Sequence, residues 1–207
     1  GEAALTADKA SSFFHAYADA IDQLAPYCKG DIRTNPGVSI KLSALHPRYE
    51  RAQQSRVLSE LTARTLLLAQ RAKQYGMGLN VDAEEADRLD LSLDVIERVL
   101  ADPSLAGWDG FGIVVQAYGK RAGPVLDWLY ALAEKLDRKI MVRLVKGVYW
   151  DSEIKHAQVD GHPGFPVYTR KAATDVSYIT CAGKLLLMTD RVFPQFATHN
   201  AHTMAAI

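Results

Sequence analysis

The sequence predicts an α/β protein with the layout of a (β/α) barrel, and two observations support this prediction. Short apolar runs with strand character alternate with helical patterns, and the four clearest runs lie at residues 38–45, 79–84, 111–118 and 140–147. Each run carries a polar side chain towards its carboxyl end, in order Lys41, Asp82, Gln116 and Arg143. Barrel chemistry takes place at the carboxyl ends of the strands. These four side chains are therefore predicted to share one site.

The two faces of each predicted strand differ in polarity, because side chains alternate between faces with a period of two. One face carries Ile40, Leu42, Leu79, Val81, Ile113, Val115, Val142 and Leu144. The other carries Ser39, Lys41, Ser43, Asn80, Asp82, Glu84, Val114, Gln116, Tyr118, Met141, Arg143 and Val145. We expect the apolar face to meet the helices and the polar face to point inwards. Charges inside a barrel are costly unless they are paired or bound to a ligand. A ligand site is thus favoured over the alternative, a set of structural ion pairs.

The remaining elements follow from helical periodicity and turn residues. Residues 6–24 carry an apolar helical stripe, and Thr6 is a suitable capping residue. One further helix is predicted to end near Tyr75, with Gly76 as its C-cap, and the next is predicted to end at Leu100. A third is predicted to begin at Pro124, and a fourth to span residues 172–187. A fifth strand is predicted at residues 192–198. Residues 149–171 contain several Gly and Pro residues and are predicted to be a long ordered loop.

Composition limits the classes of function. The 24 basic and 24 acidic residues balance, and this argues against nucleic acid as a partner. No apolar run approaches the roughly 20 residues needed to cross a bilayer. Cys28 and Cys181 are too few for a disulfide framework, so a reducing cytoplasm is the expected setting.

The length bears on the domain organisation. A complete barrel of eight strands needs about 250 residues, whereas these 207 residues supply about five βα units. We therefore expect residues 1–207 to be an internal piece of a single barrel domain whose first and last strands lie outside it. Such a piece is expected to be inactive when isolated, since a barrel cannot close without those strands.

The residue types of the predicted site allow more than one chemistry. Arg143 offers a planar fork of donors with a permanent charge, Gln116 presents a donor and an acceptor, and Asp82 is the obvious counter-charge of Lys41. Gln116 could equally satisfy a neighbouring backbone group. Lys41 or Lys146 could instead form a Schiff base, as in a barrel lyase. A non-catalytic barrel segment is the remaining alternative.

Several other polar groups are assigned more ordinary roles. Glu84, Glu85 and Asp87 are predicted to form a solvated helix start. Arg170 and Lys171 open a helix and suit a phosphate, although a solvated basic pair fits as well. His199 and His202 have no acid at metal-ligand spacing, so no metal site is predicted.

Six motifs resemble a known family. They are SIKLSALHPRY at residues 39–49, DAEEADR at 82–88, VQAY at 115–118, RLVKGVYWDSEIK at 143–155, PVYTRK at 166–171 and PQFATHN at 194–200. In order and in length they resemble the proline dehydrogenase domain of bacterial proline utilization A proteins. The resemblance covers essentially the whole chain. It departs from the family at Val148, where an alanine is expected.

The resemblance implies a distorted (β/α)8 barrel of the TIM type that binds FAD and oxidises L-proline to Δ1-pyrroline-5-carboxylate, the first step of proline catabolism to glutamate. Hydride would pass to flavin N5 and the electrons onward to a membrane quinone. Peripheral contact with the inner face of the cytoplasmic membrane would then occur through other parts of the protein. A homo-oligomer is also compatible with the resemblance.

The resemblance also implies roles for single residues. Arg143 would lie near flavin N5 and Gln116 near the pyrimidine edge, while Lys41, Asp82 and Tyr149 would border the substrate. The remaining cofactor contacts implied are Val145, Gly147, Tyr149, Trp150, Arg170, Lys171, Thr198, His199 and Asn200. The family's arginine pair that grips the substrate carboxylate has no counterpart within residues 1–207.

Overall fold

A parallel sheet of five strands forms the centre of the molecule. The computed structural model describes residues 3–207. The strands are β1 (Gly37–Ile40), β2 (Gly78–Val81), β3 (Phe111–Gln116), β4 (Ile140–Val145) and β5 (Val192–Phe196). They are hydrogen-bonded in sequence order. This order and the parallel pairing confirm the predicted α/β alternation, because each parallel neighbour requires a crossover connection.

Helices provide these crossovers. The helices are α1 (Ala7–Leu24), α2 (Leu42–Leu45), α3 (Gln54–Gln74), α4 (Leu89–Leu100), α5 (Ala122–Lys135), α6 (Trp150–Val159), α7 (Lys171–Leu186) and α8 (Ala201–Ala205). The predicted caps of two of them are confirmed. The Thr6 hydroxyl accepts a hydrogen bond from the Lys9 amide at 3.2 Å. Gly76 follows α3 with φ of 62°, a conformation that favours glycine.

The register of the sheet separates an apolar face from a polar one, as predicted. Ile40, Val81, Ile113 and Val142 lie side by side across four strands and belong to the main hydrophobic core. Helices α3, α4, α5 and α7 cover this face, and their buried leucines complete the core. Each fully buried aliphatic side chain contributes about 1.5–3 kcal/mol. The core therefore fixes which side chains remain on the opposite, inward face.

The first predicted strand is too long. It ends at Ile40, and the following residues turn into the short helix α2. The Lys41 amide donates to the Tyr17 hydroxyl at 3.2 Å, and the Ser43 amide donates to the Glu84 carboxylate at 3.0 Å. These long-range bonds replace the continuation of the β-ladder. Likewise Asp82, Glu84 and Tyr118 lie beyond the ends of β2 and β3 rather than within them.

The prediction of a continuous loop over residues 149–171 is also wrong, because its first part is the helix α6. Asp151 and Glu153 lie in the first turn of this helix, where acids interact favourably with the helix dipole. The Gly and Pro residues that suggested a loop all come after the helix ends at Val159. Among residues 3–207 no helix is long and apolar enough to cross a membrane.

Candidate functional site

A hydrogen bond across the inside of the curved sheet defines the centre of the site. Arg143 on β4 donates from Nη1 to Ser39 Oγ on β1 at 3.0 Å. In the sheet register Arg143 lies between Val114 and Gln195. Its guanidinium therefore projects from the inward face, as the strand periodicity predicts. The side chain is half-buried, which keeps a permanent positive charge within the concave face.

Lys41 and Asp82 form an ion pair beside this centre. The Lys41 Nζ and the Asp82 Oδ2 are 3.3 Å apart, and the two side chains keep about a quarter to a third of their exposure. The Asp82 amide donates to the Ile40 carbonyl at 2.9 Å, which fixes the residue just past the end of β2. The structure thus brings together the predicted pair at the carboxyl ends of β1 and β2.

The prediction of a solvated helix start is wrong for Glu84, whereas Asp87 is exposed in the first turn of a short 3-10 helix, Ala86–Arg88. Only 6% of the Glu84 side chain is exposed. Its carboxylate accepts from the Ser43 amide and pairs with Arg88 at 3.1 Å. Burial raises the pKa of the Glu84 carboxyl above its usual value, although the bonds from Ser43 and the charge of Arg88 oppose this effect. Glu84 therefore anchors the segment instead of facing water.

Gln116 uses both ends of its amide group on the backbone. Its Nε2 donates to the Glu84 carbonyl at 3.0 Å, and its Oε1 accepts from the Val148 amide at 3.2 Å. This is the structural alternative left open by the sequence. Gln116 could form a hydrogen bond with a bound ring only if the ring replaced one of these two backbone partners.

The segment after β4 packs closely against an aromatic ring. Gly147 has φ of 133°, and an added Cβ would lie 2.4 Å from the Tyr118 ring. Only glycine is compatible with that backbone and that contact. Val145 on β4 is half-buried on the inward face, whereas Val148, the departure from the family pattern, is 77% exposed.

Tyr149 and Trp150 are held where α6 begins. Burial raises the pKa of the Tyr149 hydroxyl, as do the charges of Glu84, Glu85 and Asp82, while Lys41 lowers it. Tyr149 therefore shares the electrostatic environment of the Lys41–Asp82 pair. The Trp150 indole donates to the Tyr168 carbonyl at 2.8 Å, and the side chain is 41% exposed.

A second group of predicted residues lies at the starts of α7 and α8. Arg170 and Lys171 are exposed at the amino-terminal end of α7. The Thr198 hydroxyl accepts from the Asn200 amide at 3.1 Å, and Asn200 caps α8 through the Thr203 amide. His199, between them, is exposed. This arrangement offers cations, amides and a helix terminus to an anionic or polar ligand.

Lys146 points away from the group around Arg143. Its Nζ lies 2.5 Å from Asp175 Oδ1 and 3.2 Å from Thr203 Oγ1. Lys146 directly follows β4, and the alternation of side chains along the strand places it on the face opposite to Val145. An amine in two such contacts outside the concave face is poorly placed to form a Schiff base with a ligand inside it.

The inward face also carries buried polar atoms without a partner in the described part of the chain. These include Asn80 Oδ1 and Gln195 Oε1. Gln195 lies beside Arg143 in the register. An unpaired buried acceptor costs about 1–3 kcal/mol, so the interior favours a polar occupant. Within residues 3–207 no cluster of three potential metal ligands is present.

Two features of the site were not predicted from the sequence. Ser39 was placed on the polar face but was not recognised as the partner of Arg143. Glu153 is 5% exposed and accepts from the Ala86 amide at 2.7 Å, so it joins α6 to the segment after β2. Strand periodicity places Ser39 and Arg143 on the same face, but it does not show that they meet across β2 and β3. The contact between Glu153 and the Ala86 amide cannot be predicted from the neighbouring sequence, because the two residues are 67 positions apart.

Comparisons with known proteins agree with this geometry. A sequence model of the proline dehydrogenase family matches residues 1–207. The chain is 57% identical over 208 residues to the bifunctional protein PutA of Salmonella typhimurium. The aligned region covers 100% of this chain and 16% of that relative. The chain thus spans about a sixth of the length of this relative.

Solved structures give the same result. A crystal structure of a mutant of proline utilization A from Bradyrhizobium japonicum matches with a TM-score of 0.98 and 57% identity, covering 100% of this chain and 21% of that one. The Bdellovibrio bacteriovorus protein inactivated by N-propargylglycine matches with a TM-score of 0.91 and 31% identity, covering 100% and 23%. The five-stranded sheet is therefore of the (β/α)8 barrel type.

Proposed function

We propose that this chain, which belongs to the proline dehydrogenase family, forms part of the barrel of an enzyme that oxidises L-proline to Δ1-pyrroline-5-carboxylate with FAD as cofactor. The observation that carries the proposal is the Arg143 guanidinium, held by Ser39 inside the curved sheet and flanked by the Lys41–Asp82 pair. We further infer that residues 1–207 belong to a single barrel domain.

The residues present fit FAD. Unpaired acceptors at Asn80 and Gln195 face the interior, where they could accept hydrogen bonds from the N–H groups of a polar ring system. Arg170 and Lys171 lie at the amino-terminal end of α7, and this combination of cations and helix terminus suits a pyrophosphate. Thr198, His199 and Asn200 then lie where they could contact the ribose and adenine parts. Val145, Gly147 and Trp150 would complete the wall.

In this proposal each part of the chain has a defined task. FAD would supply the chemistry by accepting, at N5, the hydride that leaves the ring carbon next to the nitrogen of proline, while the nitrogen releases a proton and the C=N bond forms. Arg143 would hold positive charge beside the site where negative charge develops, in a position fixed beforehand by Ser39. Lys41, Asp82 and Tyr149 would border and orient the substrate. Gln116 would hold the backbone at Glu84 and Val148 in place. It could form a hydrogen bond with the edge of the flavin ring if the ring replaced one of these partners.

The rival functions have less support. Lys146 is engaged with Asp175 and Thr203 outside the concave face, and Lys41 is paired with Asp82. A Schiff-base lyase would need one of these amines at the centre of the site. A non-catalytic segment would leave the Arg143 charge unexplained, because among the described residues its side-chain partner is the neutral Ser39 and a half-buried charge without a counter-charge is costly.

The wider setting is also part of the proposal. Electrons would pass from the cofactor to a membrane quinone, and the protein would be cytoplasmic with peripheral contact at the inner membrane face. The balance of 24 basic and 24 acidic residues gives this segment no bias towards nucleic acid. Assembly into a homo-oligomer is compatible with the proposal.

The absorbance spectrum of the complete purified protein that contains this sequence tests the cofactor. We expect flavin bands, and we expect acid treatment to release the flavin into the supernatant, because binding would be non-covalent. A colourless protein that retains no flavin bands after incubation with FAD and removal of the unbound FAD would contradict the proposal. Flavin that stays with the precipitated chain would contradict non-covalent binding.

A further inference from the structure

Lys146 connects three elements at the carboxyl end of the sheet. It follows β4 directly, and its Nζ reaches Asp175 on α7 at 2.5 Å and Thr203 on α8 at 3.2 Å. An ammonium group has three donors and no acceptor, so it can serve two acceptors on different helices at once. About a quarter of the side chain is exposed, and Thr203 is only 6% exposed. The contact is therefore shielded from water on the side of Thr203, whereas the Asp175 side chain keeps 37% of its exposure.

Both helices begin with residues assigned to FAD. Asp175 lies one turn after Lys171 and also pairs with it, the Lys171 Nζ lying 3.4 Å from Oδ2. Thr203 is the residue whose amide is capped by Asn200. Lys146 thus holds, through one residue on each side, the start of α7 and the segment of residues 198–200. These two segments lie far apart in sequence but must keep a fixed spacing to bind one ligand.

The charges within this group also have an order. Asp175 is closer to Lys146 than to Lys171, and its hydrogen bond with Lys146 is the main cause that lowers the pKa of its carboxyl. Lys146 makes the shorter contact with this carboxylate, 2.5 Å against 3.4 Å for Lys171, so the Lys171 ammonium can more easily leave Asp175 for a phosphate. Without Lys146, Asp175 would draw Lys171 back along the helix, since residues four apart share one helix face.

A neighbouring tyrosine reinforces the same connection. Tyr178 on α7 lies with its ring centroid 6.0 Å from Lys146 Nζ. Its hydroxyl is 3.3 Å from two carbonyl oxygens, that of Leu144 within β4 and that of Ala197 directly after β5. The start of the 198–200 segment is therefore held from two directions.

We propose that Lys146 is a positioning residue that sets the spacing between the start of α7 and residues 198–200, and thereby the affinity for the pyrophosphate and adenosine half of FAD. This role differs from those of Arg143 and Lys41, because Lys146 touches neither substrate nor the reacting part of the cofactor. The proposal rests on the proposed function in that FAD is taken as the ligand.

The test is FAD affinity of the complete protein after its flavin has been removed. Fluorescence quenching of added FAD gives the dissociation constant of wild type and Lys146→Met. We expect the variant to bind roughly tenfold more weakly or worse, since loss of one charge-assisted hydrogen bond has about this effect. Lys146→Arg keeps the charge towards Asp175 and should recover part of the affinity.

The matched control is Lys184→Met. Lys184 also lies on α7 and also pairs with an aspartate of another helix, its Nζ lying 2.6 Å from Asp127 Oδ2. It contacts none of the segments assigned to FAD, so its loss should leave the dissociation constant within about twofold of wild type. An equal weakening in both variants would show a general effect of stability and would overturn the proposal.

Thr203→Val provides a second variant in case Lys146→Met does not fold. It preserves shape and removes the contact of Lys146 with α8, together with the hydrogen bond of 3.4 Å that the Thr203 hydroxyl donates to Asn200 Oδ1. We expect a weakening of roughly threefold to tenfold. Unchanged affinity in Thr203→Val, or in a folded Lys146→Met, would overturn the proposal while leaving the proposed function intact. A wild-type protein that binds no FAD would overturn the proposed function itself.

Discussion

Arg143 Nη1 donates to Ser39 Oγ at 3.0 Å, although β2 and β3 lie between their strands in the sheet. Neighbouring strands are about 4.8 Å apart, so three steps along a flat sheet would separate β1 and β4 by about 14 Å. One side chain cannot cover that distance to meet another as short as serine. The bond therefore reports the strong curvature of a barrel, and it places the guanidinium inside.

Replacing Arg143 tests the role of this charge. Arg143→Met in the complete protein should slow reduction of bound flavin by proline about a hundredfold, because losing one preorganised electrostatic contact costs about 3 kcal/mol. Stopped-flow absorbance measures the rate. Arg191→Met is the control, since Arg191 pairs with Asp137 before β5 begins, at the other end of the sheet. A rate within about threefold of wild type, with flavin content unchanged, would remove Arg143 from the role.

Replacing Ser39 separates position from charge. Ser39→Ala keeps the arginine but removes its acceptor, so we expect flavin reduction to slow only about fivefold, equivalent to about 1 kcal/mol. The exposed-site variant Ser104→Ala, which loses a hydrogen bond to Gln70, should not change the rate. If Ser39→Ala were as slow as Arg143→Met, the charge itself would not be the main contribution.

Replacing Gly147 tests the close approach to Tyr118. Gly147→Ala should lower the free energy of unfolding by at least about 1–3 kcal/mol, because φ of 133° is strained for alanine and its Cβ would meet the ring at 2.4 Å. Urea unfolding measures the change. For Gly183→Ala, none of the described atoms lies within 4 Å of the added Cβ, and the helix should gain about 0.5–1 kcal/mol. An equal change in the free energy of unfolding for Gly147→Ala and Gly183→Ala would contradict the close packing of Gly147 against Tyr118.

The buried carboxyl of Glu153 predicts a dependence of stability on pH. Burial raises its pKa above the usual value of 4.5, and the nearby Asp87 and Glu85 add to this, while the Ala86 amide opposes it. The folded state then holds the proton more tightly than the unfolded state. The group therefore contributes stability below the unfolded pKa and loses it as pH rises through the folded pKa.

Glu153→Gln removes this titration and keeps an acceptor for the Ala86 amide. The melting temperature of the variant relative to wild type should therefore be higher at pH 7.5 than at pH 4.5. Thermal unfolding at the two pH values gives both differences. Glu97→Gln, at an exposed pair with Lys135, is the control and should lack this increase. If the melting temperature of Glu153→Gln relative to wild type stayed constant or fell between pH 4.5 and pH 7.5, the account of Glu153 would be contradicted.

Local patterns predicted the faces of the strands but not their ends. The alternation that placed Ser39 and Arg143 on one face and Ile40 and Val142 on the other is a property of each strand alone. The end of β1 depends on Tyr17 and Glu84, which are distant in sequence. For the same reason the anchoring role of Glu84 was not predicted.

The sequence of α6 contains local signals for a helix, but neighbouring Gly and Pro residues favoured a loop instead. Its acids, Asp151 and Glu153, suit a first turn, yet the Gly and Pro residues beyond Val159 suggested a loop for the whole segment. The contacts of Lys146 and Gln116 needed the folded structure, since their partners come from other βα units.

Anaerobic addition of proline to the complete, flavin-containing protein tests the central claim most directly. We expect the flavin absorbance to bleach, with one equivalent of Δ1-pyrroline-5-carboxylate formed for each flavin reduced. Proline analogues without the ring nitrogen should leave the spectrum unchanged, because no C=N bond can form. Flavin absorbance that persists under excess proline would contradict the account.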